Sequence, residues 1–511
     1  MDQSNPINPF CPVATATLRQ ELHDQLDRIA DYCESYDGRF LSFVKGLQEQ
    51  LCPLGRLFIT LFLLARHLRL QAQQRDYPGY RLVSDWAART LRTVFGEVYY
   101  GRAYWSPQAG GSGFHPLDAE LGLSRDGFCP LVMSLGCRLS TYLSYAKTTL
   151  VMEAFWGWSP STETVEQWVL GVGQEAAPYM ATSPPFTEPD GDILVIEVDG
   201  KAVPTATAEE LSKRRAQRRQ PCQDGCRCQR HRGRPKRRCQ GSKKRRRKGD
   251  KSKNGRSATL VAMYTLRQGA DGQLHGPINK RVWGSFASRK QMMQWARAEA
   301  TRRGFGPTTD RRIQIVVDGE KCLAQRLSRL FPAAIVTLDI CHVEERLWKA
   351  GRPFHPEGSP ELKTWVAALR HLLYASGGKA VVARVRELRQ QIACRGPGTK
   401  TKRAALDGLL KYLRPRLQMM HYARWRQQDL VIASGVIEGA VRYVIGERMD
   451  CSGMRWIDGK AEAILHLRCI EVNGLWDDFY DWCYDRWCQR LNKKESVQIR
   501  TDKPLKLREA A

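Results

Sequence analysis

Two short runs of mostly β-branched and aliphatic residues, Asp192–Asp199 (DILVIEVD) and Arg312–Asp318 (RIQIVVD), each end on an aspartate followed by glycine. Runs of this length bounded by turn residues predict buried strands, which puts each aspartate at a strand's end on rigid backbone. A third acid, Glu438, falls early in a later helical stretch. Carboxylates converging from separate elements can hold two divalent cations about 4 Å apart, a separation suited to in-line phosphoryl displacement. Taken singly, Asp199-Gly200 and Asp318-Gly319 are also ordinary turn dipeptides, and turn formation competes with a chemical role.

The partner class follows from charge. A formal net charge of +28 on 511 residues points to a polyanion, with nucleic acid ahead of an anionic membrane surface. A hydrophobic content of 42% excludes a wholly disordered chain, and the length allows two to four domains. The longest apolar run, Leu57 to Ala65 broken only by Thr60, is about half of what a bilayer crossing needs. Flanked by Arg56, Arg66 and Arg69, it reads as a buried helix, and no membrane association is expected. The N-terminus has no basic region leading into an apolar stretch, which predicts a cytoplasmic, nucleoid-associated protein. Sixteen cysteines spread from Cys11 to Cys488 predict reduced thiols rather than a disulfide framework.

Along the chain, residues 1–180 read as a mainly helical DNA-binding region with a small β module. Helical spacing from Thr17 to Leu70 predicts two or three helices broken near Pro53-Leu54-Gly55, and Thr90 to Trp105 turns strand-like. Between Thr141 and Glu175 the pattern is helix, break, helix, with Ser159 placed to cap and Pro160 at the first helical position. That spacing permits a helix-turn-helix, though a plain helical hairpin is the commoner outcome. Residues 181–191, with Pro184, Pro185 and Pro189, read as a linker.

Beyond it, 192–352 is expected to form the first part of an α/β core, 353–428 a helical insertion, 429–475 the core's final part, and 476–511 a C-terminal tail. Strands are predicted over Asp192–Asp199, Ser257–Leu266, Arg281–Phe286, Arg312–Asp318 and Ala334–Asp339, with helices over Lys290–Arg303 and Lys321–Leu330. Strand, strand, strand, helix, strand, helix, strand is the order of a ribonuclease H-like domain, in which acids close the first and fourth strands. Asp199 and Asp318 occupy those places.

Residues 201–256 interrupt this core. Between Ser212 and Arg256 stand 21 lysines and arginines against two acids, a local net of +19. Arg214, Arg218, Lys243, Lys244, Arg245, Arg246, Arg247 and Lys248 are candidate phosphate contacts, each neutralised phosphate adding a slope of about −0.9 to the log-log salt dependence of binding. Cys222, Cys226, Cys228, His231 and Cys239 supply enough soft ligands for a tetrahedral zinc, with free thiols as the alternative.

Five blocks carry a family resemblance: VIEVDGKAVP (Val195–Pro204), IVVDGE (Ile315–Glu320), LDICHVEERLW (Leu338–Trp348), SGVIEGAVRYVIGERM (Ser434–Met449) and SGMRW (Ser452–Trp456). They resemble the signature blocks of bacterial insertion-sequence DDE transposases of the ISKra type, relatives of the Mutator-like group. The resemblance runs from about Arg89 to Gly474. It implies a ribonuclease H-like core with an all-helical insertion before the final glutamate, two magnesium ions with manganese as a substitute, and action on transposon ends.

Asp199, Asp318 and Glu438 match the family's three metal-holding acids, and Asp339 and His342 match its Asp-x-x-His element, a support or a DNA contact. The implied partners are double-stranded DNA, as terminal inverted repeats and target, and further copies of the chain in a homodimer or larger assembly. Two departures stand out: the basic cysteine-bearing arm, and the absence of zinc-ribbon cysteines near Trp105.

Around these positions, Glu197 shares a strand face with Asp199 and reads as a solvated neighbour rather than a fourth ligand. Arg442, one helical turn after Glu438, is placed to steady its carboxylate or touch a phosphate. Arg455 and Trp456 suit a DNA contact, a buried tryptophan anchor being the alternative. His342 also fits a satisfied core histidine. Two rival functions share the core: a structure-selective nuclease that never joins DNA, and a non-catalytic DNA-binding descendant of a transposase.

Overall fold

The computed structural model describes residues 12–73, 77–183, 185–207, 209, 212, 255–306, 309–451 and 454–494. The architecture is mixed α/β, divided into two compact units: residues 1–175 with 475–511, and residues 176–474. Arg214, Arg218, Cys222, Cys226, Cys228, His231, Cys239 and the run Lys243, Lys244, Arg245, Arg246, Arg247, Lys248 all lie outside the described residues.

In the first unit two long helices, Pro12–Ser35 and Phe40–Ala72, precede an antiparallel hairpin of β1 (Tyr80–Thr93) and β2 (Gly96–Pro107). The expected break at Pro53 does not occur. Proline forfeits one backbone bond there, yet the helix runs from Phe40 to Ala72, and beyond the proline Leu63 and Leu70 bury against Leu91, Val98 and Tyr100 of the hairpin. The chain turns instead around Asp37-Gly38, just before Phe40. By length and apolar content Phe40–Ala72 is long enough to cross a membrane, which the short run Leu57–Ala65 did not suggest.

The hairpin is fastened by Asp118, which accepts from Tyr100 Oη at 2.8 Å, from Arg89 Nη1 at 2.6 Å and from Arg102. Farther on, helices Tyr145–Trp156 and Thr162–Thr182 flank a loop entered through left-handed Gly157. The cap is Ser161, whose Oγ accepts from Thr164 N at 3.1 Å, and not Ser159. The segment expected as a tail is, over its described part, the helix Trp476–Lys494. Trp476 Nε1 donates to Ser134 Oγ at 3.0 Å and Tyr480 Oη to Pro130 O at 2.7 Å, which returns this helix to the first unit.

The second unit is built on a five-stranded sheet, β3 (Ile193–Val203), β4 (Arg256–Gln268), β5 (Leu274–Ser285), β6 (Arg312–Val317) and β7 (Ile335–Leu338), in the order β5-β4-β3-β6-β7. β3, β4 and β5 pair antiparallel, while β6 joins β3 and β7 joins β6 in parallel. Ile193, Leu194, Val195, Ile196 and Val198 are all buried, as befits a central strand covered on both faces. β3 extends to Val203, paired with Arg256, so the interruption starts after that pair rather than at 201.

Helix Arg289–Arg302 precedes β6, and Lys321–Leu330 makes the parallel crossover to β7. The insertion contributes helices Pro360–Gln390, broken at Gly377, then Thr399–Leu413 and Tyr422–Gln427. Its Leu362, Val366, Leu369, Leu406 and Leu410 form one core with Val195, Val316 and Leu338 of the sheet.

Candidate active site

Register alone brings three acids together. Val198 pairs with Val317, and Val317 with Leu338, so the residues that follow them, Asp199 inside β3 and Asp318 and Asp339 just past the ends of β6 and β7, stand side by side across three neighbouring parallel strands. Asp199 does not close its strand as expected, because β3 goes on pairing with β4 to Val203. Adjacent strands lie about 4.8 Å apart, and residues in parallel register share a face. Gly200 N donates to Asp199 Oδ1 at 2.6 Å, and Glu320 N donates to Asp318 Oδ1 at 2.9 Å. Both aspartates are half-buried. Burial raises the Asp199 pKa, the negative charge of Asp318 adds to the rise, and the Gly200 N–H opposes it. A cation between them would relieve that repulsion.

The Asp318-Gly319 turn is gripped by the insertion. Tyr412 Oη donates to Asp318 O at 3.3 Å, and Arg416 donates to Gly319 O from Nε at 2.9 Å and from Nη2 at 2.6 Å. Gly319 has φ of +87°, and a Cβ there would lie 2.7 Å from Tyr412 Oη. Glycine is required by both conformation and space. Tyr422 Oη likewise donates to Leu338 O at 2.7 Å, just before Asp339.

Asp339 is fully buried, and its oxygens are taken. Oδ1 accepts from Cys341 N at 3.0 Å; Oδ2 accepts from Ser434 Oγ at 2.7 Å and pairs with His342 Nδ1 at 2.9 Å. Burial disfavours its charge, but the bonds from His342, Ser434 and Cys341 outweigh it and lower the pKa. The Asp339 bond in turn raises His342 to about 9, against partial burial. With a side chain 36% exposed, His342 is a charged group at the rim of the site and not a core histidine. Asp339 therefore orients its neighbours.

Glu438 arrives from elsewhere. Ile340 N donates to Ile432 O at 3.0 Å and Val431 N to Gln314 Oε1 at 3.0 Å, so the segment after the insertion runs alongside the strand ends and delivers Ser434 to Asp339. Helix Gly435–Ala440 follows, continued by a π-helical turn, Val441–Gly446. Ser434 Oγ lies 3.3 Å from Glu438 Oε1, and Glu438 is exposed. Ligand atoms of Asp339, Cys341 and Glu438 all fall within 4.8 Å of one another. The Cys341 thiol is pushed up to about 11 by desolvation and by Asp339 and Glu438, so without a metal it is protonated, and the other two donors of the group are carboxylate oxygens.

Three sequence expectations change. Glu197 is not solvated: it is fully buried, with Oε1 accepting from Tyr264 Oη and Oε2 from Ile437 N, each at 2.7 Å. Burial pushes it up to about 7, against the pull of those two bonds. Trp456 is 8% exposed, donates from Nε1 to Met449 O at 3.0 Å and lies under the Arg448 guanidinium, so it anchors the fold and offers no face to a base. Arg442 is exposed and makes no ion pair with Glu438, since the π-turn widens the helix just where one α-helical turn was assumed. Arg455 is exposed. The alternation of the Ile193–Val203 strand was the available signal for Glu197, but nothing local showed that its face is covered.

No protein-family model and no curated protein matches the chain. Among solved structures it is similar to the Drosophila P element transposase strand transfer complex, at 12% sequence identity and a TM-score of 0.28, covering 68% of this chain and 93% of that one.

Proposed function

We propose that the chain is a DDE-type DNA transposase of the insertion-sequence kind, with a ribonuclease H-like core that cuts and joins DNA at transposon ends. One observation carries the reading: Asp199 and Asp318 follow the paired residues Val198 and Val317 on adjacent parallel strands, and Glu438 is held through Ser434 beside Asp339, which follows the next strand in that row. The sheet order, with three antiparallel strands and two parallel additions, supports the core assignment.

The residues fit hard divalent cations. Asp199 is a half-buried carboxylate whose pKa is raised by burial and then by the charge of Asp318, Asp318 is a second half-buried carboxylate beside it, and Glu438 is an exposed carboxylate with one oxygen near Ser434. Asp199 and Asp318 would be the shared ligands and Glu438 would complete the set. Two magnesium ions, or manganese in their place, would supply Lewis-acid stabilisation of the attacking and leaving oxygens of a phosphodiester. His342, charged near neutral pH and held by Asp339, presents its remaining ring nitrogen as a donor to a phosphate oxygen. The Gly319 clamp keeps Asp318 from retreating when DNA enters.

The basic arm between 201 and 256 would hold the DNA backbone, with zinc on its cysteines as a separate proposal. Double-stranded terminal repeats and target DNA are the proposed partners, a dimer or larger assembly the proposed active form, and the cytoplasm with its nucleoid the proposed location. The test uses labelled DNA from the borders of the reading frame. Magnesium-dependent cleavage at a border followed by joining to a second duplex, both lost in Asp199→Ala, is the expected result. Cleavage without joining would favour a nuclease, and salt-sensitive binding with neither would favour a DNA-binding descendant.

A further inference from the structure

We propose that Glu197 is a positioning residue that sets where Glu438 stands relative to Asp199 and Asp318. The proposal rests on the functional reading above and adds a residue to it. Glu197 lies two positions before Asp199, on the same face of β3, and is 0% exposed. A carboxylate buried in this way costs several kcal/mol unless its oxygens are satisfied, and a leucine here would pack without that cost. Both oxygens are satisfied, one by a neighbouring strand and one by the helix that carries Glu438.

The strand partner is Tyr264 on β4, the diagonal neighbour of Glu197 in the antiparallel register, itself 2% exposed. The helix partner is the backbone N–H of Ile437, the residue immediately before Glu438. First-turn amides of a helix have no acceptor within the helix. Glu197 supplies that acceptor across 240 residues of sequence. The helix Gly435–Ala440 is only six residues long before the backbone widens into the π-turn, so its own hydrogen bonds do little to fix its orientation. Two tethers do so instead: Ser434 to Asp339 at the helix start, and Ile437 to Glu197 one turn in.

This gives β3 two tasks on one face. Asp199 faces the reacting groups, and Glu197 two residues earlier locks the element that carries the third acid. Misplacement of a reacting group by about 1 Å can cost a hundredfold in rate, so the tether matters even though Glu197 touches no substrate.

The experiment uses the full-length protein with Glu197→Met and Glu197→Asp, and Tyr264→Phe as a comparison that spares the Ile437 bond. Glu197→Met fills the same space with no oxygen to accept from Ile437 N, while Glu197→Asp keeps a carboxyl one methylene short of the amide and serves if the methionine variant does not fold. Three readouts are taken: amide exchange of the peptide spanning Ser434–Ala440 without metal, Mn²⁺ binding followed by electron paramagnetic resonance, and kcat and KM for DNA cleavage. We expect exchange at that peptide to quicken by about tenfold or more. Mn²⁺ binding should weaken by about tenfold, and kcat should fall by about ten- to a hundredfold with KM for DNA unchanged and partial recovery at high Mn²⁺. Tyr264→Phe should leave that exchange slow.

Unchanged exchange in both Glu197 variants would overturn the tether. Quickened exchange with unaltered Mn²⁺ binding and kcat would overturn the positioning role. If the wild-type protein cuts no DNA, the transposase reading falls, while exchange and Mn²⁺ binding still decide the claim about Glu197.

Discussion

The acids on the strands and the acid on the helix are held by different physics. Asp199, Asp318 and Asp339 are placed by the backbone ladder of a parallel sheet, in which Val198, Val317 and Leu338 fix the row whatever follows them. Glu438 has no ladder behind it. It stands exposed on a six-residue helix whose position depends on side-chain tethers from Asp339, Ser434 and Glu197. Rigid elements hold reactive groups more tightly than short, loosely anchored ones. The contrast predicts that the strand acids tolerate changes in their surroundings while the helix acid does not.

The largest effect should come from removing a strand acid. Asp199→Ala or Asp318→Ala should lower magnesium-dependent cleavage by roughly a thousandfold or more, since several kcal/mol of charge stabilisation goes with the ligand. DNA affinity at fixed salt should stay within about twofold, because phosphate contacts elsewhere carry binding. A single-turnover assay beside a filter-binding titration checks both. Ser434→Ala probes the other side of the comparison: it removes the hydroxyl between Asp339 and Glu438 and should reduce kcat about tenfold with little change in unfolding midpoint. An equal loss from mutating a residue that merely packs beneath Asp199 would break the contrast.

Stability should register the clamp on the Asp318 turn. Arg416→Ala removes two bonds to the Gly319 carbonyl and should cost about 1.5–3 kcal/mol in urea unfolding. Gly319→Ala should cost a similar amount, from a positive φ and a Cβ forced onto Tyr412. Trp456→Phe is milder, at about 1 kcal/mol for the lost bond to Met449, with DNA affinity unchanged; weakened DNA binding at intact stability would restore the stacking role.

A further effect concerns pH. His342 is raised to about 9 in the fold, so its contribution is complete below the unfolded value near 6.5 and is lost as pH rises through 9. Denaturation of the metal-free protein should therefore show stability falling over that window, and His342→Gln should flatten the fall.

What was legible in the sequence follows the same division. The buried runs ending in Asp199 and Asp318 announced themselves because a strand covered on both faces needs an unbroken apolar stretch, and Ala334–Asp339 carried the same ending. Glu197 was legible as to face but not as to burial, since the helix covering it comes from 240 residues away. Arg416 and Tyr412 gave no local sign of reaching the turn at Gly319, 97 residues earlier for Arg416. Proline at 53 suggested a break by local rule, yet the helix runs through it from Phe40 to Ala72. Local composition thus reported the ladder-held half of the site and missed the contacts that hold the other half.

Anomalous diffraction from crystals of the protein soaked in Mn²⁺ would locate the cations directly. Manganese is expected at the carboxylates of Asp199 and Asp318, with Glu438 completing the coordination and Asp339 still bonded to Ser434 and His342. Manganese held by Asp339 and Glu438 alone, with none at Asp199 and Asp318, would contradict that placement.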